Sequence, residues 1–275
     1  MNAASGAVPF ARHPAGRGVV WLKESWVMLS AARVPWLLLL LTYYLIQLLV
    51  SLIPIVGPLA LMVFRPVFTV GFLAAAWNQE RGGMPEIRHL FRGFGANLWA
   101  LIPIGLFLVA GTALAVFATV AVDGGELFEG IATNRPLEDV LAGKDVEAAM
   151  LFASACAVPI ALAAWFAPAL VVFSGCGAAQ ALGTSLRAAL VNWKPAMVYG
   201  LLLVFFGAVA PALAVKLIAL ALPLIAARVV VAVTVVPYMF LFIAAQAISD
   251  YVSYRDIFHA DEGPAPPPEP ETDSA

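Results

Sequence analysis

Charge is scarce in this chain, and so are the residues that most often carry catalysis. Only 12% of its 275 residues are charged and 63% are hydrophobic, with a mean hydropathy of +0.93. A soluble domain runs about 25% charged and about 45–50% apolar, so this balance excludes an ordinary soluble fold and points to a membrane protein. The three histidines, His13, His89 and His259, stand in separate segments; a nucleophile finds no base beside it and a metal no clustered ligands. Cys156 and Cys176 are the two cysteines, and on one continuous helix they would stand roughly 30 Å apart, too far to pair. Walker A, His-Glu-x-x-His and Gly-x-Ser-x-Gly patterns are all missing, and Gly175-Cys-Gly177 lacks the rest of a dinucleotide fingerprint. No cofactor or metal is therefore expected, and an enzyme is the weakest function class. The net charge is −2 with no basic patch to hold a polyanion, so no nucleic-acid partner is expected. Arg12, His13 and Arg17 interrupt the first residues without an apolar core and cleavage site after them, so no cleaved signal peptide is expected either.

What the chain has in abundance is apolar runs long enough to span a bilayer, which takes about 20 residues. They fall near 36–53, 58–77, 98–122, 150–173, 196–215 and 223–249. The expected fold class is all-α, with about six transmembrane helices and short interfacial amphipathic helices. Residues 18–258 form one helical membrane domain, 1–17 a flexible segment, and 259–275 a disordered acidic, proline-rich tail that cannot bury a core. Pro54, Gly57 and Pro58 force a tight hairpin between the first two spans. The stretch 216–228, broken by Pro223, is left open as a turn, a helix extension or a re-entrant segment. Ten of the fifteen cations flank the same ends of the spans, and cytoplasmic flanks carry such an excess. Both termini are thus expected in the cytoplasm of a bacterial inner membrane, with the acidic loop Asp123 to Glu147 outside. Its acids follow no calcium-loop spacing.

Three spans are preceded on the cytoplasmic side by a helical segment closing beside Trp or Pro. In one, Ile87, Leu90, Phe91, Phe94 and Leu98 share an arc at the α-helical period beside Arg88 and Arg92. In another, Leu182, Leu186, Ala189 and Trp193 share an arc edged by Gln180, Arg187 and Lys194. Arg92 and Asn97 match Arg187 and Asn192 in spacing, and Ser25 and Pro35 match Ser185 and Pro195, the marks of an internal repeat. Such helices suit the interface, cations toward anionic headgroups; anchoring and recognition of lipid or partner are both open for them. The closing Tyr251-Val-Ser-Tyr-Arg-Asp-Ile-Phe258 offers Tyr251 and Tyr254 at headgroup level, Arg255 for phosphate, and Asp256 for local pairing. It serves as an interfacial stop or as a docking motif.

Arg65 is left inside a span. A central charge costs about 2.5–3.5 kcal/mol on insertion scales, so it is expected to snorkel, to bond Tyr43, Tyr44 or Gln47 on the preceding helix, or to contact a substrate or partner. Pro66, Pro103, Pro159, Pro168, Pro211 and Pro237 break spans, as in transporters but also as in many packed membrane helices. Ala153, Ala157 and Ala161 form a small-residue ridge for internal packing or a homo-oligomer.

Several stretches together resemble the BPSS-type family of bacterial six-span inner-membrane proteins of unknown function. They are Ser51-Leu-Ile-Pro-Ile-Val-Gly-Pro-Leu-Ala60, Pro66-Val-Phe-Thr-Val-Gly71, His89-Leu-Phe-Arg-Gly-Phe94, Phe166-Ala-Pro-Ala-Leu-Val171, Asn192-Trp193 and Tyr251 to Phe258. The likeness runs from about Trp21 to Phe258, while Arg65 departs from the apolar residue that the family implies at its position. It implies topology and compartment and carries over no catalytic residue. The leading expectation is a non-enzymatic scaffold, accessory subunit or lipid-interacting factor. The rival is a small-solute transporter or channel with a wet path past Arg65, Gln47 and Tyr43, and a lipid-modifying enzyme stands further off. Single cysteines placed at Asp139 and Asp261, in a chain whose own cysteines are replaced by serine, should label from opposite sides of the membrane; labelling from one side would overturn the topology.

Overall fold

A computed structural model describes residues 8–133, 135–136, 139–140, 143 and 145–259. The tail beyond His259, expected to be disordered, lies outside the described residues. Among the described residues there are helices and no strands. They are α1 (Arg17–Ala31), α2 (Arg33–Ser51), α3 (Val56–Glu80), a 3₁₀ segment (Ile87–Gly95), α4 (Leu98–Ala118), α5 (Val120–Asp123), α6 (Glu126–Ala132), α7 (Val146–Trp165), α8 (Ala167–Phe173), α9 (Ala178–Val191), α10 (Trp193–Val204), a π-helical turn (Phe205–Val209), α11 (Ala210–Ala221) and α12 (Leu224–Phe258). Among the described residues six stretches are long and apolar enough to cross a membrane: Arg33–Ser51, Val56–Glu80, Leu98–Asp123, Val146–Phe173, Trp193–Ala221 and Leu224–Phe258.

The proline-rich connection between α2 and α3 is tight because Ile55 takes a positive φ of 63° and Gly57 sits so close to Val50 that a Cβ would overlap its carbonyl. At the other end of the chain the open stretch 216–228 resolves into helix up to Ala221, a turn at Leu222 and Pro223, and helix again from Leu224. Proline fits there because it begins a helix without needing a donor.

The three segments that precede spans are built into the bundle. α1 packs on α12 and α10, the 3₁₀ segment on α3, and α9 on α7 and α8. The 3₁₀ winding changes which residues share a face. At three residues per turn, Leu90 and Gly93 form the buried row, whereas Phe91 and Phe94 share a row with Arg88 and remain partly exposed. The α-helical arc read from the sequence is therefore not the arc that packs. Contact is close because Gly71 of α3 lies under the Leu90 backbone and Gly93 lies over the Val67 carbonyl. His89 is buried, its Nδ1 accepting the Glu86 N–H at 2.9 Å, and burial lowers its pKa.

The fourth span breaks at Phe166, two residues before Pro168. The break is filled by the Ser185 hydroxyl of α9, which accepts the Phe166 N–H at 3.0 Å and donates to the Leu162 carbonyl at 2.8 Å. It stands between a donor and acceptor four residues apart that an unbroken helix would join directly. This break also means that Cys156 and Cys176 do not share one continuous helix; both are free thiols. The fifth span relaxes into its π turn just before Pro211, the kind of adjustment that re-satisfies backbone near a proline.

The segment expected to be flexible at the start of the chain is packed from Val8 onward. The Ala11 N–H donates to the Ile257 carbonyl at 2.7 Å, the His13 N–H to Asn192 Oδ1 at 2.8 Å, and Asn192 Nδ2 to the Ala11 carbonyl at 2.9 Å. Both ends of the membrane domain therefore lie at one end of the bundle. At the far end of the third span, Asp123 caps α6 through the N–H groups of Gly125 and Leu127, and Leu127, Val140, Val146 and Ala149 form a small second core. Gly93→Leu should separate the 3₁₀ segment from α3 and cost about 1–3 kcal/mol by overpacking. A lowered unfolding midpoint in detergent checks this; an unchanged midpoint would contradict the docked geometry.

Candidate functional site

The last turns of α12 are unusually polar for a buried surface. Ser249, Tyr251, Ser253, Tyr254 and Asp256 are all buried, and each polar group meets a partner from elsewhere in the chain or from its own helix. Asp256 accepts the Arg17 guanidinium bidentately, with Nε and Nη2 each at 2.7 Å, and the Trp21 indole N–H at 2.8 Å. That hydrogen bond raises the Arg17 pKa above its ordinary value, against the opposing effect of burial. Arg255 donates to Glu24 at 2.6 Å and to Glu80, and the Tyr251 hydroxyl also donates to Glu80. The sequence reading gave Asp256 a local partner; its partner Arg17 is 239 residues away. Nor do Tyr251, Tyr254 and Arg255 face headgroups, since the tyrosines are 4% and 2% exposed and Arg255 is engaged by two carboxylates. Long polar side chains in a buried helix end are cheaper when paired within the bundle than when held at the interface.

Arg88, Arg92, Arg187 and Lys194 do remain on the outside. Arg88 pairs with Glu86 at 2.8 Å, Arg187 lies 6.0 Å over the Phe10 ring and Lys194 5.7 Å over the Trp193 ring. All four sit at the end that bears the termini.

Aromatic rings lead from this paired cluster into the spans. Trp165 stacks on Tyr199 at 5.4 Å, Trp21 meets both edge-on, and the Tyr199 hydroxyl bonds Ser249. The Trp165 indole donates to Asp250 Oδ1 at 3.0 Å. Beyond it lies a cleft of about 360 Å³ whose polar lining is Arg65, Thr69, Gln246 and Asp250, with Trp165 and Tyr199 at its side and Ile104, Leu108, Leu162 and Leu203 among its apolar walls. It is lined from α3, α4, α7, α8, α10 and α12, with the stacked rings of Trp165 and Tyr199 joining α7 to α10 beside it.

Arg65 is thus part of a polar intramembrane site, but not with the partners read from the sequence. It interacts electrostatically with Tyr43 and Tyr44, yet those rings pack among Phe68, Phe72 and Phe240, Gln47 lies near Tyr43, and none of the three lines the cleft. Its electrostatic counterpart there is Asp250, which the sequence reading passed over. The available signal was an acid next to the sixth apolar run. Of the small-residue ridge, Ala157 and Ala161 are exposed, and Ala161 lines the cleft. Among the described residues no three metal-ligating side chains gather, although His13 does reach α12, its Nε2 3.0 Å from the Asp256 carbonyl.

Asp256→Asn should weaken the hold on Arg17 and free the first ordered segment, costing about 1–3 kcal/mol, the scale of hydrogen bonds to charged groups. Faster amide exchange at residues 8–16, with the spans unchanged, is the expected readout. Unchanged exchange there would remove the latch.

No family model and no solved structure matches the chain. It is 30% identical over 257 residues to a probable inner membrane protein of Burkholderia thailandensis, across 90% of this chain and 93% of that protein.

Proposed function

Since the chain belongs to the family of that Burkholderia inner membrane protein, we propose that it is a non-enzymatic multi-pass protein of the bacterial inner membrane that acts as a lipid-interacting scaffold or accessory subunit. Membership of the BPSS-type family, and a placement with both termini in the cytoplasm, belong to the same proposal. The orientation draws support from Arg88, Arg92, Arg187 and Lys194, which stand outside the internal carboxylate cluster at the end bearing the termini and suit anionic headgroups.

The observation that carries the lipid-interacting reading is the cleft of Arg65 and Asp250. It lies at the level of the spans, is walled by aliphatic side chains, and reaches the outside of the bundle at the exposed Arg65 and Ala161. The paired cluster at the end of α12 suits a scaffold, because it ties α1, α3 and α12 into one unit.

A small-solute transporter is the second reading, and the helix break at Phe166 together with the π turn at Phe205–Val209 favours it. Interrupted helices form binding sites in such proteins, and π turns are frequent at functional sites. Affinity purification from native membranes, with mass spectrometry of co-purifying proteins and lipids, separates the two. A stoichiometric membrane protein or retained phospholipid is expected; a clean chain holding one soluble solute would replace this reading with transport.

A further inference from the structure

The cleft holds one basic and one acidic side chain, and the two do not join. Among the described residues the Arg65 guanidinium makes no hydrogen bond or ion pair, although it interacts electrostatically with Asp250. Asp250 receives the Trp165 indole on Oδ1, and its other oxygen accepts no hydrogen bond from the described residues. An isolated ion in an apolar setting is costly. A cleft that holds a guanidinium and a carboxyl group apart is best filled by a ligand that meets both.

Three features narrow that ligand. The volume of about 360 Å³ is at the low end of the about 300–1,000 Å³ typical of small-molecule sites, enough for a headgroup and not for acyl chains. Chains can leave sideways, because Arg65 and Ala161 in its lining are exposed and Leu108, Leu162 and Leu203 line the way. The charges are also ordered along the bundle. Asp250 adjoins Tyr251, which bonds Glu80 at the end of α3, whereas Arg65 is rooted deeper on α3 and its guanidinium comes within electrostatic reach of Asp250 in the same cleft. In a phospholipid of the leaflet at that end, the ammonium is outermost, the phosphate deeper and the chains deeper still.

We propose that the cleft binds the headgroup of a zwitterionic phospholipid with a primary ammonium, its phosphodiester on Arg65 and its ammonium on Asp250. The assignment rests on the lipid-interacting reading above and names its ligand class. A guanidinium grips phosphate through charge-assisted hydrogen bonds, and the Gln246 amide, which also lines the cleft, supplies a further donor. Asp250 provides the discrimination: an anionic glycerol headgroup brings no cation to it, and a trimethylated ammonium brings no N–H.

The test is native mass spectrometry of the full chain in mixed micelles containing equal phosphatidylethanolamine, phosphatidylglycerol and phosphatidylcholine. One retained phosphatidylethanolamine per chain is expected, at about tenfold preference. Arg65→Leu should lose retention of all three lipids, and Asp250→Asn should lose the preference for phosphatidylethanolamine while keeping phospholipid binding. Short-chain phosphatidylethanolamine should also raise the unfolding midpoint of the unaltered protein more than short-chain phosphatidylglycerol does, a measurement that needs no variant. Equal retention of the three lipids, or retention unaffected by Arg65→Leu, overturns the headgroup assignment and leaves the lipid-interacting reading in place. No retained lipid and no protection overturn both.

Discussion

The paired charges between α1 and the last turns of α12 hold this structure closed. Arg17, Glu24, Glu80, Arg255 and Asp256 come from three helices, and each is too polar to lie unpaired beside lipid. Once they are joined, Trp21 is carried into the bundle with its indole on Asp256, and Trp165 and Tyr199 can pack around it. The aromatic column then positions Asp250 at the mouth of the cleft. The cluster and the cleft are therefore one arrangement: the first fixes the helix whose next turn lines the second.

A second requirement shapes the spans themselves, since backbone groups released inside a membrane must find partners within the protein. The Ser185 hydroxyl meets it at Phe166 by serving as donor to one side of the break and acceptor to the other. Asn192 performs a related task with its amide, receiving the His13 N–H and donating to the Ala11 carbonyl. These two residues of one short segment secure different elements, a kinked span and the N-terminal strap. The matching positions in the proposed repeat differ in their use: Ser25 bonds the Leu22 carbonyl of its own helix, and Asn97 is exposed. The spacing repeats, but the bonding does not.

The six spans were legible because length and apolarity decide them locally, and the turn at Pro223 nearly so. The 3₁₀ winding of Ile87–Gly95 was not, because the glycines that let it approach α3 act across elements, Gly93 on Val67 and Gly71 on Leu90. Arg65 announced itself as a charge in a run of apolar residues, yet its counterpart lies 185 positions later in sequence and borders a span. Asp256 was visible and assigned to its neighbourhood; only the fold brings Arg17 to it. Local patterns carried the architecture, whereas pairs far apart in sequence made the site.

The closure of first helix upon last also sets an order of events during biosynthesis. At about 5–20 residues per second, the ribosome needs roughly 10–50 seconds to make the 239 residues that separate Arg17 from Asp256. All the intervening spans can enter the bilayer in that time, while α1 has made none of its contacts with α12. The nascent chain thus waits with Trp21 undocked until its final turns emerge. A chain truncated before Asp256 would retain six hydrophobic segments and lack the carboxylate that brings its beginning home.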